Sequence, residues 1–390
     1  MKELTCEEIL EIISRGEDSK NQFKLNFESI DKLAVEIAVF LNSEGGRILV
    51  GVTNSGEIEG LTSTQIEHLN QWISNACRNK IYPVAVVETQ IINCEGRNIL
   101  VIDVPRGESK PYAVNKTDVW IKVGSDKRRA TPEEIARLLQ ESGRLRAEEN
   151  TVELEVNEEN LNKEYFLKWF RENKGYEFNF ESEDLVRLFN NWKLAKGDKF
   201  TFAGLLLFGK NPELIKPQFI IKAVYWEDAD NFKDKEEISG NLIEQFKKSM
   251  DFLRRNLRKI QRGNVNAPAS LEIPEEALME AISNAIVHRD YFIESPIYVE
   301  IWEDRVEIIS PGKLPNTLTV ETIKEGIHSE RNPIILSFLE KDRDFRYSGM
   351  GKGIPRIIRK CEEADIEVDF VNNIERLEFR VIFKRPGGPL

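Results

Sequence analysis

The chain of 390 residues carries 55 Lys and Arg against 67 Asp and Glu, a formal net charge of -12, with 41% hydrophobic and 31% charged residues. Such a chain can form two or three domains with sizeable cores, and its acidic balance excludes a generic nucleic-acid coat while leaving room for a local basic face. No apolar run reaches membrane-spanning length, and the start MKELTCEEIL has no secretory character. Cys6, Cys77, Cys94 and Cys361 lack CxxC spacing, and only His68, His288 and His328 could join them. Neither a structural zinc site nor a disulfide framework is therefore expected, and a reducing cytoplasm is the expected location.

In chain order, Thr5 to Ile13 reads as a short helix with a capping box, Thr5 followed by Glu8. Gln22-Phe23-Lys24 alternates like an edge strand, and Lys32 to Leu41 is an apolar-periodic helix. Ile48 to Val52 is a buried strand between glycines, followed by the turn Asn54-Ser55-Gly56. Gly45, Gly46 and Gly51 suit tight turns and close packing better than a phosphate loop. A helix near Thr64 to Lys80 and strands near Val84 to Ile92, Arg97 to Val104 and Val119 to Val123 complete an α/β unit ending near Arg146.

The blocks ExxxxxFK from Glu17, FLNSEGGRILVGV, DVPRGESKPY and VWIKVGSDKRRATPEEI together resemble the Schlafen AlbA-like domain, also called divergent AAA. The resemblance implies nucleic-acid binding and, in some relatives, a metal-dependent RNase, whose carboxylates hold metal against the scissile phosphate. This chain keeps Glu17 but has Gln22 where a second acid belongs and Thr53-Asn54 in the turn, so nuclease activity is not expected. A Glu17–Lys24 surface ion pair is the structural alternative. Lys24, Arg47, Lys122, Lys127, Arg128 and Arg129 are the cations expected to meet a phosphate backbone, with a solvated face as the alternative.

RAEENTVELEVNEEN, near Arg146 to Asn160, is strongly acidic without aromatics and reads as a linker. Beyond it, Leu161 to Asn173 and Ser182 to Trp192 look helical and Phe219 to Tyr225 looks like a strand. GLLLFGKN (Gly204 to Asn211) nearly matches a P-loop, but Asn211 replaces the Mg²⁺-binding Ser or Thr and the apolar run points to a buried segment. Gly240 to Arg262 reads as a helix with Phe246, Met250, Leu253 and Leu257 on its core face and a basic opposite face.

In EALMEAISNAIVHRDY (Glu276 to Tyr291) the apolar positions recur at helical spacing after Pro274, and Glu280 and Asn284 lie one turn apart on one face. An Asn amide oxygen can complete a Mg²⁺ shell while a Glu aligns or deprotonates water; a solvated helix face has the same spacing. Paired strands, Ile297 to Trp302 and Arg305 to Ile309, lead into SPGKLP, then SERNP and YSGMGKGIPRI. The last places Gly349, Gly351 and Gly353 at alternate positions before a helix, a backbone able to present N–H groups to phosphate.

In that order these motifs resemble the GHKL ATP-binding fold of gyrase, Hsp90 and histidine kinases. HRDY, SPGKLP, RNP and GMGKGI look like the divergent GHKL branch found behind Schlafen AlbA-like domains in prokaryotic proteins classed as transcriptional regulators. The resemblance implies that Glu280 positions or activates water, that Asn284 holds Mg²⁺ brought with ATP, that Gly349, Gly351 and Gly353 wrap the phosphates and that Lys352 neutralises their charge. GHKL proteins use an Asp in DxGxG to accept the adenine amino proton, whereas this chain has Ser310 before Pro311-Gly312; a hydroxyl accepts more weakly. His288, Arg289, Asp290, Arg331 and Asn332 match the branch's own motifs, as ligand contacts or as a buried ion-pair network bracing the ATP loop. No winged helix follows the final strand, Leu377 to Phe383, so base-sequence reading by a recognition helix is not expected.

The expected architecture is therefore α+β and multidomain: an AlbA-like α/β domain over 1–146, an acidic linker over 147–160, a mixed α/β middle region over 161–265 and a GHKL-like α/β sandwich over 266–390. The expected function is an ATP- and Mg²⁺-binding, nucleic-acid-associated regulator, DNA being favoured over RNA, with nucleotide-controlled conformation or assembly, slow ATPase activity at most, and homo-oligomers of the kind GHKL domains form. The alternatives are an ATP-gated, Schlafen-like metal-dependent nuclease, for instance in phage defence, and a protein-interaction scaffold with a vestigial nucleotide site.

Overall fold

The computed structural model describes residues 4–124, 126–181, 183–261, 269–315 and 318–386. They form two compact units, Met1–Leu145 and Arg146–Leu390. Among the described residues no helix is long and apolar enough to cross a membrane.

The first unit opens with α1 (Cys6–Arg15), whose start is closed by the reciprocal Thr5–Glu8 capping box. Strand β1 (Asn21–Lys24) is followed by α2 (Ile30–Leu41) and β2 (Gly46–Val50), which pairs parallel with β1. Then come α3 (Ser63–Asn75), β3 (Ile81–Tyr82), β4 (Glu88–Cys94) and β5 (Arg97–Val104), and one sheet runs β1-β2-β5-β4. Strands β6 (Ala113–Val114), β7 (Asp118–Val123) and β8 (Asp126–Arg129) continue from β3 as a second sheet, and α4 (Pro132–Glu141) follows. Helix α2 buries Leu33, Ala34, Ile37, Ala38, Phe40 and Leu41 because it packs against β2 and β5 on one side and β6 and β7 on the other. Gly46 permits that packing: a Cβ there would sit 2.4 Å from the Phe40 ring. One expectation is corrected in this unit. Cys6 and Cys94 form a disulfide, with Cα atoms 5.3 Å apart, because α1 lies on β4; a separation of 88 residues carries no sign of this in the sequence. Cysteine spacing consequently says nothing about compartment.

The second unit corrects the linker expectation. Ala147–Glu149 is a 3-10 turn and Thr151–Glu155 is strand β9, which pairs with a later hairpin. The acidic composition had masked a period-two pattern, in which Val152 and Val156 enter the core while Glu153 and Glu155 face solvent. Helices α5 (Lys163–Lys174) and α6 (Leu185–Asn191), strands β10 (Ala195–Lys196) and β11 (Lys199–Thr201), and the wholly buried α7 (Phe202–Phe208) surround an aromatic cluster of Phe166, Trp169, Phe189, Phe208 and Phe338. The near-P-loop is thus a core helix.

Strands β12 (Ile221–Trp226) and β13 (Phe232–Ile238) precede α8 (Leu242–Asn256). This helix stops short of the expected end because Leu257 turns to an extended conformation and leads into β14 (Lys259–Ile260), paired with β15 (Ser270–Leu271). Arg262, and with it the expected boundary at 265, lies outside the described residues. Helix α9 (Glu275–Val287), strands β16 (Ile297–Ile301) and β17 (Arg305–Pro311), helices α10 (Val320–Lys324), α11 (Pro333–Leu339) and α12 (Gly353–Glu362), and strands β18 (Val368–Asn373) and β19 (Glu378–Lys384) complete the unit. A six-stranded sheet runs β13-β12-β16-β17-β19-β18. The middle and C-terminal regions are therefore not separate folds, since β12 pairs directly with β16. Helix α9 packs against α8, α12 and β17, which sets its face toward the glycine loop.

Candidate functional site

Alternating small and branched residues along α9 bury Ala277, Ala281, Ala285, Leu278, Ile282 and Ile286, leaving Glu280 and Asn284 together on the side of α12. Glu280 is only 2% exposed. Ser348 donates its hydroxyl to Glu280 Oε2 at 2.6 Å and its backbone N–H to Oε1 at 3.3 Å. Burial holds the Glu280 carboxyl above the usual carboxylate range despite these bonds. Glu280 is thus a latch on the loop before α12 as well as a candidate for positioning water.

Asn284 faces a cleft of about 810 Å³ when the open space at its mouth is counted. The cleft gathers, of the expected residues, Asn284, His288, Ser310, Gly312, Arg331, Gly351 and Gly353. The Asn284 Nδ2 atom is buried without a hydrogen-bond partner among the described residues. Close approach explains two of the glycines. At Gly351, φ +72, a Cβ would lie 1.8 Å from the Gly326 carbonyl oxygen, and at Gly353 one would lie 2.5 Å from Glu280 Oε1 and 3.0 Å from Asn284 Nδ2. Gly353 also opens α12, so unpaired backbone N–H groups begin beside Asn284.

The remaining expected residues divide. Gly349 and Lys352 do not line the cleft; Lys352 is exposed at the cap of α12 and its backbone N–H donates to Gly349 O at 2.9 Å. Ser310 lines it, but its hydroxyl donates to Ala285 O at 2.9 Å. The buried network around the cleft uses backbone carbonyls where ion pairs were expected. Arg331 donates to His288 O at 3.0 Å and Lys313 O at 2.7 Å, and Asn332 to Val287 O and Arg289 O, both at 2.8 Å. Arg289 donates to Gln218 O and Ser295 O, its guanidinium 4.6 Å from the Phe219 ring centre. Asp290 accepts from Phe292 N. Burial, with Arg331 nearby, pushes the His288 imidazole down to about 4, so it is neutral and pairs with the Tyr347 hydroxyl at 3.1 Å. Sequence reasoning passed over Ser348 and Tyr347, although both stand in the glycine motif, and Lys313, His328 and the apolar wall of Ile308, Leu314, Ile323, Phe379 and Val381. Inward alternation along β17 and β19 was the available signal for part of that wall.

In the first unit all six expected cations are already engaged. Lys24 and Lys127 approach the buried Glu36 at 3.7 and 2.6 Å, and Arg47 meets Asp103 at 3.3 Å. Lys122 donates to Gln22 at 2.8 Å and lies 4.5 Å from the Phe40 ring centre. Arg128 forks onto Glu134 at 2.8 and 2.9 Å, and Arg129 meets Asp118 at 3.3 Å. The supposed Glu17–Lys24 pair is absent among these contacts: Glu17 accepts from Gln22 Nε2 at 2.5 Å and Phe23 N at 2.7 Å, because β1 turns Lys24 toward α2 instead. Thr53 and Asn54 form a turn closed by Gly56 N to Thr53 O at 2.9 Å. Among the described residues, no group of three or more His, Cys, Asp or Glu is placed to hold a metal ion.

Comparison with known families matches residues 17–131 to "Schlafen, AlbA_2" and residues 294–383 to "Putative ATP-dependent DNA helicase recG C-terminal". The second match begins after α9, so Glu280 and Asn284 lie outside it. No curated protein matches the chain. Among solved structures, the DIP2311 protein from Corynebacterium diphtheriae aligns at 18% identity with a TM-score of 0.45, over 95% of this chain and 65% of its own. The N-terminal domain of a RecG-related protein from Nitrosomonas europaea aligns at 18% identity with a TM-score of 0.26, over 33% of this chain and 95% of its own. The chain thus spans 65% of the length of the first of these structures. The chain thus carries, in this order, a region similar to the Schlafen AlbA_2 family and a region similar to the C-terminal, ATPase-like part of the RecG-type family.

Proposed function

We propose that this protein is an ATP-binding, nucleic-acid-associated regulator in which the second unit binds nucleotide and the AlbA_2 domain contacts phosphate backbones. One observation carries the nucleotide reading: a buried amide donor, Asn284 Nδ2, stands unpaired among the described residues, beside Gly353, whose missing Cβ lets the start of α12 come close to it. A buried donor without a partner costs about 1–3 kcal/mol, a cost that a bound phosphate oxygen removes. The residues suit a nucleotide that brings its own Mg²⁺: the oxygen of the Asn284 amide can serve the metal, while its N–H and the start of α12 offer donors to the phosphates. Mg²⁺ would neutralise phosphate charge there. Lys352 at the loop rim is a further counter-charge. Nucleotide-dependent conformation or homo-oligomer assembly, and control of transcription, are the regulatory part of this reading.

Calorimetry with Mg²⁺-ATP on the wild type and on Asn284→Ala tests it. Binding is expected in the wild type and at least about tenfold weaker in the variant, which is about 1.4 kcal/mol. Equal affinity would remove Asn284 from the site. Light scattering on the same samples reads assembly, and a monomer with and without nucleotide would sink that part.

A further inference from the structure

The cleft described above is lined by two imidazoles, and they are in opposite situations. His288 is buried, neutral and paired with the Tyr347 hydroxyl, so its bonding serves the fold. His328 is exposed on the cleft wall, and its ring makes no hydrogen bond among the described residues. That ring stands against the glycine loop: its Nδ1 atom is 3.0 Å from where a Cβ on Gly351 would be. Gly351 comes two residues before Gly353, where α12 begins and where the Asn284 amide donor is unpaired among the described residues.

The chain fixes His328 from both sides. Before it, the turn that ends α10 is closed by Gly326 N to Ile323 O at 3.1 Å and Ile327 N to Thr322 O at 3.0 Å. After it, Arg331 and Asn332 are tied to the backbone carbonyls already named, so Arg331 directs both Nη atoms at the protein itself. A side chain on a segment pinned at both ends loses less freedom when it meets a ligand than one on a loose loop. An imidazole always carries at least one N–H donor, and a phosphate oxygen is a charged acceptor for it. Resting on the nucleotide reading above, we infer that His328 is a phosphate-binding residue, its ring donating to a phosphate oxygen of the nucleotide held at the start of α12. The segment between α10 and α11 then reads the phosphates directly.

The chain has three histidines, so a sample labelled at the imidazole carbons gives three resonances, and His328→Gln identifies the one from His328. Adding Mg²⁺-ATP to the wild type should shift that resonance, and adding adenosine at the same concentration should not. By calorimetry, His328→Ala should bind Mg²⁺-ATP weaker by about tenfold or more, the loss expected for a hydrogen bond to a charged group. Affinity unchanged in His328→Ala would overturn the inference while the nucleotide reading stands. A resonance that ATP leaves in place, or that adenosine moves as far, would equally overturn it, by giving His328 a role in loop packing alone. If the wild type binds no Mg²⁺-ATP, the nucleotide reading itself fails, and this inference with it.

Discussion

Glu280 holds a carboxylate in a nearly closed pocket, and what keeps it there is Ser348. Truncating Ser348 to Ala removes the 2.6 Å hydroxyl bond and leaves a buried acceptor short of a partner. The expected loss is about 1–3 kcal/mol, read as a lowered midpoint in denaturant. Glu280→Gln keeps an acceptor for Ser348 and removes the charge that burial penalises. That variant should fold with at least wild-type stability. A large loss in Glu280→Gln, or none in Ser348→Ala, would show that the latch is not as drawn.

Helix α11 begins on a second buried carboxylate. Glu148, fully buried, accepts from Ile334 N at 3.0 Å and Ile335 N at 2.9 Å, and burial raises its carboxyl from the ordinary 4.5 to about 7. The folded state therefore keeps the proton up to about pH 7, whereas the unfolded chain releases it near 4.5. This contribution to stability is full below pH 4.5 and is lost as pH rises through 7, at most on the order of 3 kcal/mol. In Glu148→Gln, which imitates the protonated form, thermal melts between pH 4.5 and 7.5 should show a flatter dependence than the wild type. An unchanged slope would mean that Glu148 titrates normally. The same element explains why the acidic stretch around Glu148 is structure and not linker: one of its carboxylates caps a helix nearly two hundred residues away in sequence.

For the whole molecule, an acidic chain that binds nucleic acid must do so through a patch, and the patch here is balanced by its own carboxylates. Exposed pairs are worth at most about 1 kcal/mol, so phosphate can replace Glu134 on Arg128 and Asp118 on Arg129 at small cost. The double variant Arg128→Ala, Arg129→Ala should leave folding nearly unchanged while reducing the salt slope of duplex DNA binding by about 2, as measured by anisotropy from 50 to 200 mM salt. An unchanged slope would move the interface elsewhere.

Local patterns and ordered motifs were enough to place α2, α9, β17 and the glycine loop, because helical spacing, strand alternation and capping boxes are short-range properties of the chain. They also marked Asn284, Gly351 and Gly353 as a group, and the structure brings these into one cleft. Partnership was not legible. That β12 joins β16 in one sheet, that Cys6 reaches Cys94, that Ser348 holds Glu280 and that Lys127, Arg47 and Lys122 already have partners are contacts between distant segments. A residue's type states which bonds it can make, but its neighbours in space decide which of them it has left to offer a ligand.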